Sequence, residues 1–330
     1  MRTAVFGTGS WGTAFSMVLT DAGTDVVMWG YESEVCDLIN RTHENPLYHP
    51  GIKLDENVRA TNDAGLALDG AEMVVLAVPA QTLRANLEQW KSIFPPDAIV
   101  VSLMKGIELN TSKRMTEVIA EVLGTPESQR VAISGPNLAR EVAERQPAAT
   151  TVACADEQTA VRVQRACHTP RFRPYTNTDV VGSELGGAVK NVIALATGIA
   201  DGLGFGENSK AAVITRGLAE TSRLGAALGA DPSTFSGLAG LGDLVATCMS
   251  PLSRNRTFGE RMGRGETVEA IASSTRQVAE GVKSCGAILD LARGADVDMP
   301  IVEHVVAVVN GEQTPIDMMT GLLSREVKPE

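Results

Sequence analysis

The sequence predicts an α/β protein: an N-terminal Rossmann-type, doubly wound parallel sheet followed by an all-helical C-terminal domain. Short β-rich runs alternate with helical patterns through the first half of the chain, as they do when helices cross between parallel strands. Several of these runs are apolar throughout, as strands covered on both faces are. A glycine-rich stretch, Gly7-Thr8-Gly9-Ser10-Trp11-Gly12, directly follows the first run. Its glycines allow a tight turn and bring backbone N–H groups close to a phosphate, and the helix beyond favours negative charge.

The first strand is Thr3–Phe6. Behind the glycines, Ala14, Phe15, Val18 and Leu19 recur at helical spacing, and Gly23 closes that helix. A second strand, Asp25–Trp29, completes a β-α-β unit of the expected size. Further strands are expected at Met73–Val78, Ile99–Leu103, Val131–Ser134, Thr150–Cys154 and Phe172–Tyr175. From Val180 onward the pattern is helical, with long candidates at Ser209–Leu228 and Met299–Val309. This places a dinucleotide-binding domain at residues 1–182 and a helical substrate-binding and catalytic domain at 183–330.

A chain of 330 residues, 44% hydrophobic and 21% charged, can bury a large core. The net charge of -11 argues against non-specific nucleic-acid binding. It leaves room for a small anionic substrate, since a site can be locally basic. The five cysteines show no CxxC spacing, and with four dispersed histidines they make no zinc pattern. No metal is therefore expected, and reduced thiols in a cytoplasmic protein are. The first strand begins so early that no signal peptide is expected. No apolar run approaches the ~18 residues of a membrane span. A homodimer is compatible with the sequence, which fixes no oligomeric state.

In open α/β sheets, ligands bind beyond the carboxyl ends of the strands. Those ends carry Gly7–Gly12, Gly30-Tyr31-Glu32, Pro79-Ala80-Gln81, Met104-Lys105-Gly106 and Gly135-Pro136-Asn137. Glu32 stands where an acid can bind the adenosine ribose and disfavour the extra phosphate of NADP. It reads equally well as a solvated glutamate at a helix start, with Tyr31 a surface aromatic. Lys105 can reach an anion or a carbonyl, or be a plain surface lysine. Lys190 lies inside an apolar helix pattern, and Gly186 and Gly187, one turn before it, have no side chain to block a ligand. It can polarise a carbonyl and pass a proton if burial and nearby cations lower its pKa, or simply snorkel to water. Asp243 sits in a Gly-rich turn, Gly240-Leu241-Gly242. Ser253-Arg254-Asn255-Arg256 suits a phosphate, the arginine fork flanked by neutral donors; the alternative is a helix cap by Ser250 or Ser253 with exposed arginines. There is no Ser-His-Asp arrangement and no Gly-Lys-Ser/Thr P-loop, so the glycines suit a dinucleotide better than phosphoryl transfer.

Together these segments resemble bacterial NAD(P)-dependent glycerol-3-phosphate dehydrogenases. The resemblance is carried by GTGSWGTA at 7–14, VVLAVPAQ at 74–81, LMKGIE at 103–108, SGPNLAREV at 134–142, LGGAVKNVIA at 185–194, LAGLGDLVATC at 238–248 and SPLSRNRTFG at 250–259. It implies hydride transfer between a nicotinamide cofactor, NAD or NADP, and C2 of dihydroxyacetone phosphate or sn-glycerol 3-phosphate, supplying phospholipid synthesis. It makes Lys190 the proton donor and acceptor. Lys105 and Asp243 line the substrate pocket, the lysine lowering the pKa of Lys190 and the acid raising it. Gly135 and Asn137 form a turn beside the substrate, and Ser253, Arg254 and Asn255 meet the substrate and cofactor phosphates. Cofactor contacts are implied for Gly7, Gly9, Ser10, Trp11, Gly12, Tyr31, Lys105, Ala139, Arg254, Val278 and Glu280. Many bacterial members carry Arg or His just after the second strand, where this chain has Tyr31 and Glu32, so use of NAD(H) as well as or better than NADP(H) is expected. His49 stands where the family usually has Leu, and reads as a loop histidine without a catalytic role. Two other readings compete: a 3-hydroxyacid dehydrogenase relative, whose carboxylate substrates fit Ser253–Arg256 less well, and a dinucleotide-binding sensor that has lost catalysis, which the set Lys105, Lys190, Asp243, Arg254 and Asn255 argues against.

Overall fold

The computed structural model describes residues 1–274 and 279–324. Its strands are β1 (Arg2–Phe6), β2 (Asp25–Trp29), β3 (Arg59–Thr61), β4 (Met73–Leu76), β5 (Ile99–Ser102), β6 (Arg130–Ser134), β7 (Ala148–Ala153) and β8 (Phe172–Asn177). They form one sheet in the order β3-β2-β1-β4-β5-β6-β7-β8. The helices of the first part are α1 (Ser10–Asp21), α2 (Ser33–Thr42), α3 (Ala64–Leu68), α4 (Leu83–Trp90), α5 (Met115–Leu123), α6 (Ala139–Ala143) and α7 (Glu157–Cys167). Those of the second are α8 (Val180–Gly202), α9 (Glu207–Ala227), α10 (Asp243–Met249), α11 (Arg254–Gly263), α12 (Val268–Ser273), α13 (Glu280–Gly294), α14 (Pro300–Val309) and α15 (Pro315–Leu323).

Alternation along β1 explains why the strands are apolar throughout. Val5 joins a core with Phe15, Leu19 and Met28, while Ala4 and Phe6 join another with Leu83, Leu87 and Trp90. Successive side chains point to opposite faces, so a strand covered by helices on both sides needs apolar residues at every position. Each such large side chain contributes about 1.5–3 kcal/mol by leaving water.

The sheet departs from the expected all-parallel form in one pairing. β6 and β7 are antiparallel, with Ser134 opposite Thr151, whereas β7 and β8 are parallel again. The connection at 135–147 carries only the short α6, which packs on α1, so the chain turns back from the end of the sheet it has reached. β3 was not expected at all: three residues with one buried position give no period to read.

The described chain divides into two compact units, Met1–Lys105 with Lys113–Glu184, and Gly106–Ser112 with Leu185–Glu330. In the second unit, α8 is buried on every side from Leu185 to Ala200. A helix this apolar all round belongs in a core, which makes each polar residue on it conspicuous. Among the described residues no helix is long and apolar enough to cross a membrane.

Candidate functional site

In the first unit the ends of β1, β2, β4, β5 and β6 lie along one edge, because these strands are mutually parallel. Gly7 has φ +129°, and a Cβ on it would meet the Ala77 carbonyl oxygen at 2.5 Å. A Cβ on Gly12 would lie 2.0 Å from the carbonyl oxygen of Gly7. These two positions hold the turn closed by having no side chain. Gly9 is different: nothing stands within 4 Å of a Cβ built there. Gly9 also begins α1 without a side-chain cap, and no acid lies in the first turn. The N–H groups of that turn therefore have no capping side chain at the positive end of a helix. Trp11 adds a buried indole Nε1 with no partner. This cradle fits the pyrophosphate of a dinucleotide.

The loop is braced from behind. Asn45 donates from Nδ2 to the Thr8 carbonyl oxygen at 2.8 Å and to Thr13 Oγ1 at 2.9 Å. His49 Nε2 lies 2.8 Å from the carbonyl oxygen of Ser10 and 3.3 Å from its hydroxyl. Both are 1% exposed, and burial holds the His49 pKa below its ordinary value. At the next tip, Tyr31 is 88% exposed and Glu32 is an exposed residue preceding α2.

Lys105 donates from Nζ to the carbonyl oxygen of Gly135 at 2.9 Å. Asn137 donates to Thr150 Oγ1 at 2.8 Å, and Thr150 donates to the Ser134 carbonyl oxygen at 3.1 Å. The Asn137 Oδ1 atom is buried without a partner, so the amide is fixed at one end and offers an acceptor at the other. Ala139 opens α6, whose start has no side-chain cap.

In the second unit the central feature is Lys190 on α8, 7% exposed. Its Nζ donates to Asp243 Oδ1 and, at 2.7 Å, to Thr247 Oγ1. Asp243 is 1% exposed. Buried charges persist when paired and hydrogen-bonded, and here one carboxylate and one hydroxyl do both. A buried ammonium so held can donate to an oxygen that gains charge and can return as an amine to take a proton.

Two local expectations change. Gly186 was read as leaving space for a ligand, but a Cβ on it would meet the Ala239 carbonyl oxygen at 2.4 Å. Its bareness lets the neighbouring backbone approach α8. The stretch before Asp243 is no turn: Leu238–Gly242 is one π-helical coil that runs into α10. Such wide coils occur at functional sites. Packed on Gly186, it sets Asp243 beside Lys190 one turn further along α8.

Ser253 caps α11, its Oγ accepting from the Arg256 N–H at 3.2 Å. Asn255 donates to Asn191 Oδ1 at 2.9 Å and accepts from the Gly281 N–H at 2.9 Å, tying α8, α11 and α13 together around the lysine's neighbour. Arg256 is occupied by Asp201 and Glu260, whereas Arg254 is exposed and has no ion-pair partner among the described residues. Glu280 opens α13. Val278 lies outside the described residues. Among the described residues no cluster suits a metal ion.

Sequence reading missed Thr247, Thr150 and Asn45. Thr247 had a signal, standing four residues after Asp243 on one helical face. Thr150 and Asn45 had none, because their contacts depend on a strand pairing and a loop path.

Residues 2–160 match the N-terminal domain, and residues 179–320 the C-terminal domain, of the family described as NAD-dependent glycerol-3-phosphate dehydrogenase. The chain is 62% identical over 330 residues to glycerol-3-phosphate dehydrogenase (NAD(P)+) of Streptomyces griseus, covering 100% of this chain and 98% of that one. It is 56% identical to the protein of the same name from Corynebacterium glutamicum, covering 100% of both. The crystal structure of glycerol-3-phosphate dehydrogenase from Coxiella burnetii superposes with a TM-score of 0.94 at 36% identity, covering 98% of this chain and 99% of that one.

Proposed function

Because this chain belongs to the NAD-dependent glycerol-3-phosphate dehydrogenase family, it is an NAD(P)-dependent oxidoreductase of sn-glycerol 3-phosphate and dihydroxyacetone phosphate, and we propose that Lys190 moves the proton of that reaction. The observation that carries the proposal is a lysine buried in an apolar helix and held by Asp243 and Thr247. When bound, the nicotinamide supplies or accepts the hydride at C2. In reduction Lys190 gives a proton to the C2 oxygen as it gains negative charge; in oxidation it takes the hydroxyl proton. Asp243 and Thr247 fix where Nζ sits.

The other assignments follow the resemblance to the family together with the chemistry of each residue. Lys105 adds positive charge beside Gly135 and Asn137, which orient the substrate. Arg254 offers its guanidinium to a phosphate, with Ser253 and Asn255 holding the start of α11 in place. Gly7, Gly9, Ser10, Trp11 and Gly12 take the cofactor pyrophosphate, with Ala139, Tyr31, Lys105, Val278 and Glu280 as further cofactor contacts. The product supplies phospholipid synthesis. A cytoplasmic setting agrees with five cysteines that are all free and buried.

We further propose that NADH is used as well as or better than NADPH. Tyr31 and Glu32 place an aromatic ring and a negative charge where a 2′-phosphate needs a cation. Dihydroxyacetone phosphate-dependent oxidation of NADH and of NADPH, measured side by side as kcat/KM, tests this preference, and turnover of Lys190→Arg tests the role of Lys190. Equal or higher values with NADH are expected, and a strong NADPH preference overturns the assignment of Tyr31 and Glu32.

A further inference from the structure

We propose that His49 is a positioning residue for the cofactor, one that directs the hydroxyl of Ser10 to act as a phosphate donor. The inference rests on the reading that the glycine-rich loop holds the pyrophosphate.

The tautomer decides the argument. His49 Nε2 lies 2.8 Å from the Ser10 carbonyl oxygen, and a carbonyl oxygen only accepts. Nε2 therefore carries the proton. The same N–H faces the Ser10 hydroxyl at 3.3 Å, so that oxygen meets a donor and contacts it as an acceptor. The Ser10 O–H is left to point elsewhere. Ser10 is the first residue of α1, at the helix end with no side-chain cap and no acid in its first turn. An anion seated there receives the hydroxyl proton together with the N–H groups.

The brace is rigid enough to enforce this. The His49 N–H donates to the Asn45 carbonyl oxygen at 2.8 Å, so the two residues stand one helical turn apart. Asn45 holds Thr8 and Thr13 on the other flank of the loop. The imidazole thus reaches Ser10 from a fixed base. A leucine at 49 could fill the same space, but it has no N–H. It would leave the Ser10 carbonyl without this donor and the hydroxyl free to turn inward.

The test is NADH binding by quenching of tryptophan fluorescence, with steady-state kinetics beside it. His49→Leu should weaken NADH binding about tenfold, the size of one charge-assisted hydrogen bond. The KM for cofactor should rise in step, while kcat at saturating cofactor moves by less than about twofold. His49→Gln, which can again present an N–H, should recover most of the loss. Ser10→Ala should weaken binding to a similar degree, and adding His49→Leu to it should cost little more, since both remove one interaction. His49→Met, also without an N–H, takes the place of the leucine variant if that one does not fold. Unchanged NADH binding in the leucine or methionine variant, or losses that multiply in the double variant, overturns the proposal. Gly9→Asp separates the underlying reading, because its side chain enters open space and sets a carboxylate where the pyrophosphate belongs. If Gly9→Asp binds NADH normally, the loop is not the pyrophosphate site. If it loses binding while His49→Leu keeps it, only the role of His49 falls.

Discussion

A lysine buried as deeply as Lys190 needs a counter-charge, and Asp243 with Thr247 supplies it. This coupling shapes the prediction for its removal. Lys190→Met takes away the proton donor but also strands a carboxylate that is 1% exposed, at a cost of about 3–5 kcal/mol. Lys190→Arg separates the two effects. A guanidinium keeps the charge beside Asp243 yet cannot give up its proton near neutral pH. We expect kcat to fall at least about 100-fold in both variants, the low end of what a positioned acid or base contributes. NADH binding should hold within about twofold in the arginine variant, and its urea midpoint should stay closer to that of the parent protein than the methionine variant's. Normal turnover in either would remove Lys190 from the proton path. At this scale the sequence was informative where chemistry is local. Lys190 stood out as a charge inside an apolar period, and Asp243 as an acid in a glycine-rich stretch. His49 stood out only as a departure from the family and read as a loop histidine without a role, because nothing near it in the chain says that its loop folds under Ser10.

The packing of whole elements depends on glycines whose purpose is approach. A Cβ on Gly198 of α8 would lie 2.0 Å from the carbonyl oxygen of Arg256, and one on Gly259 of α11 would lie 2.1 Å from that of Leu195. Gly202 and Gly263, one turn along each helix, meet backbone in the same way. The two helices therefore touch along their backbones, and Asn255 can reach Asn191 directly. Gly286 in α13 offers the contrast, since nothing lies within 4 Å of a Cβ placed there. Both sites are helix interiors, where alanine is intrinsically better than glycine by about 0.5–1 kcal/mol. At Gly286 that preference should appear as a gain. At Gly198 the clash is with main chain, which cannot yield without parting the helices, and overpacking costs about 1–3 kcal/mol. Gly198→Ala should thus lower the urea midpoint and Gly286→Ala raise it, with slopes unchanged. A gain in both would mean that the α8–α11 seam is loose. The four-residue glycine spacing of each helix was present in the sequence, but nothing there says which helix is its partner. The antiparallel β7 was hidden for a related reason: its apolar run is the same in either direction, and direction follows from how α6 packs.

The stability of the molecule as a whole depends on pH through groups that are not among the candidate site residues. Glu220 on α9 is 3% exposed and accepts from the Ile301 N–H, at the start of α14, at 3.0 Å. Burial pushes its pKa from 4.5 up to about 7, against the lowering effect of the Ile301 and Val302 N–H groups. Between pH 4.5 and 7 the folded chain therefore holds a proton that the unfolded chain has released. Folding binds protons in that window, so this residue's contribution is fully present below about pH 4.5 and is lost as pH rises through about 7. At 1.36 kcal/mol for each pKa unit, the loss amounts to about 3 kcal/mol. Groups such as Asp201, Asp231 and Glu266, whose pKa values are lowered by their hydrogen-bond partners, act in the opposite sense: their contribution is lost as pH falls. The net curve therefore mixes signs, and a single substitution isolates the one term. Glu220→Gln keeps an acceptor for the Ile301 N–H and never ionises. Its urea unfolding free energy should match the parent protein near pH 4.5 and exceed it increasingly toward pH 8, by up to about 3 kcal/mol. A difference that does not change with pH would show that Glu220 is already ionised in the fold, with the N–H groups at the start of α14 outweighing burial.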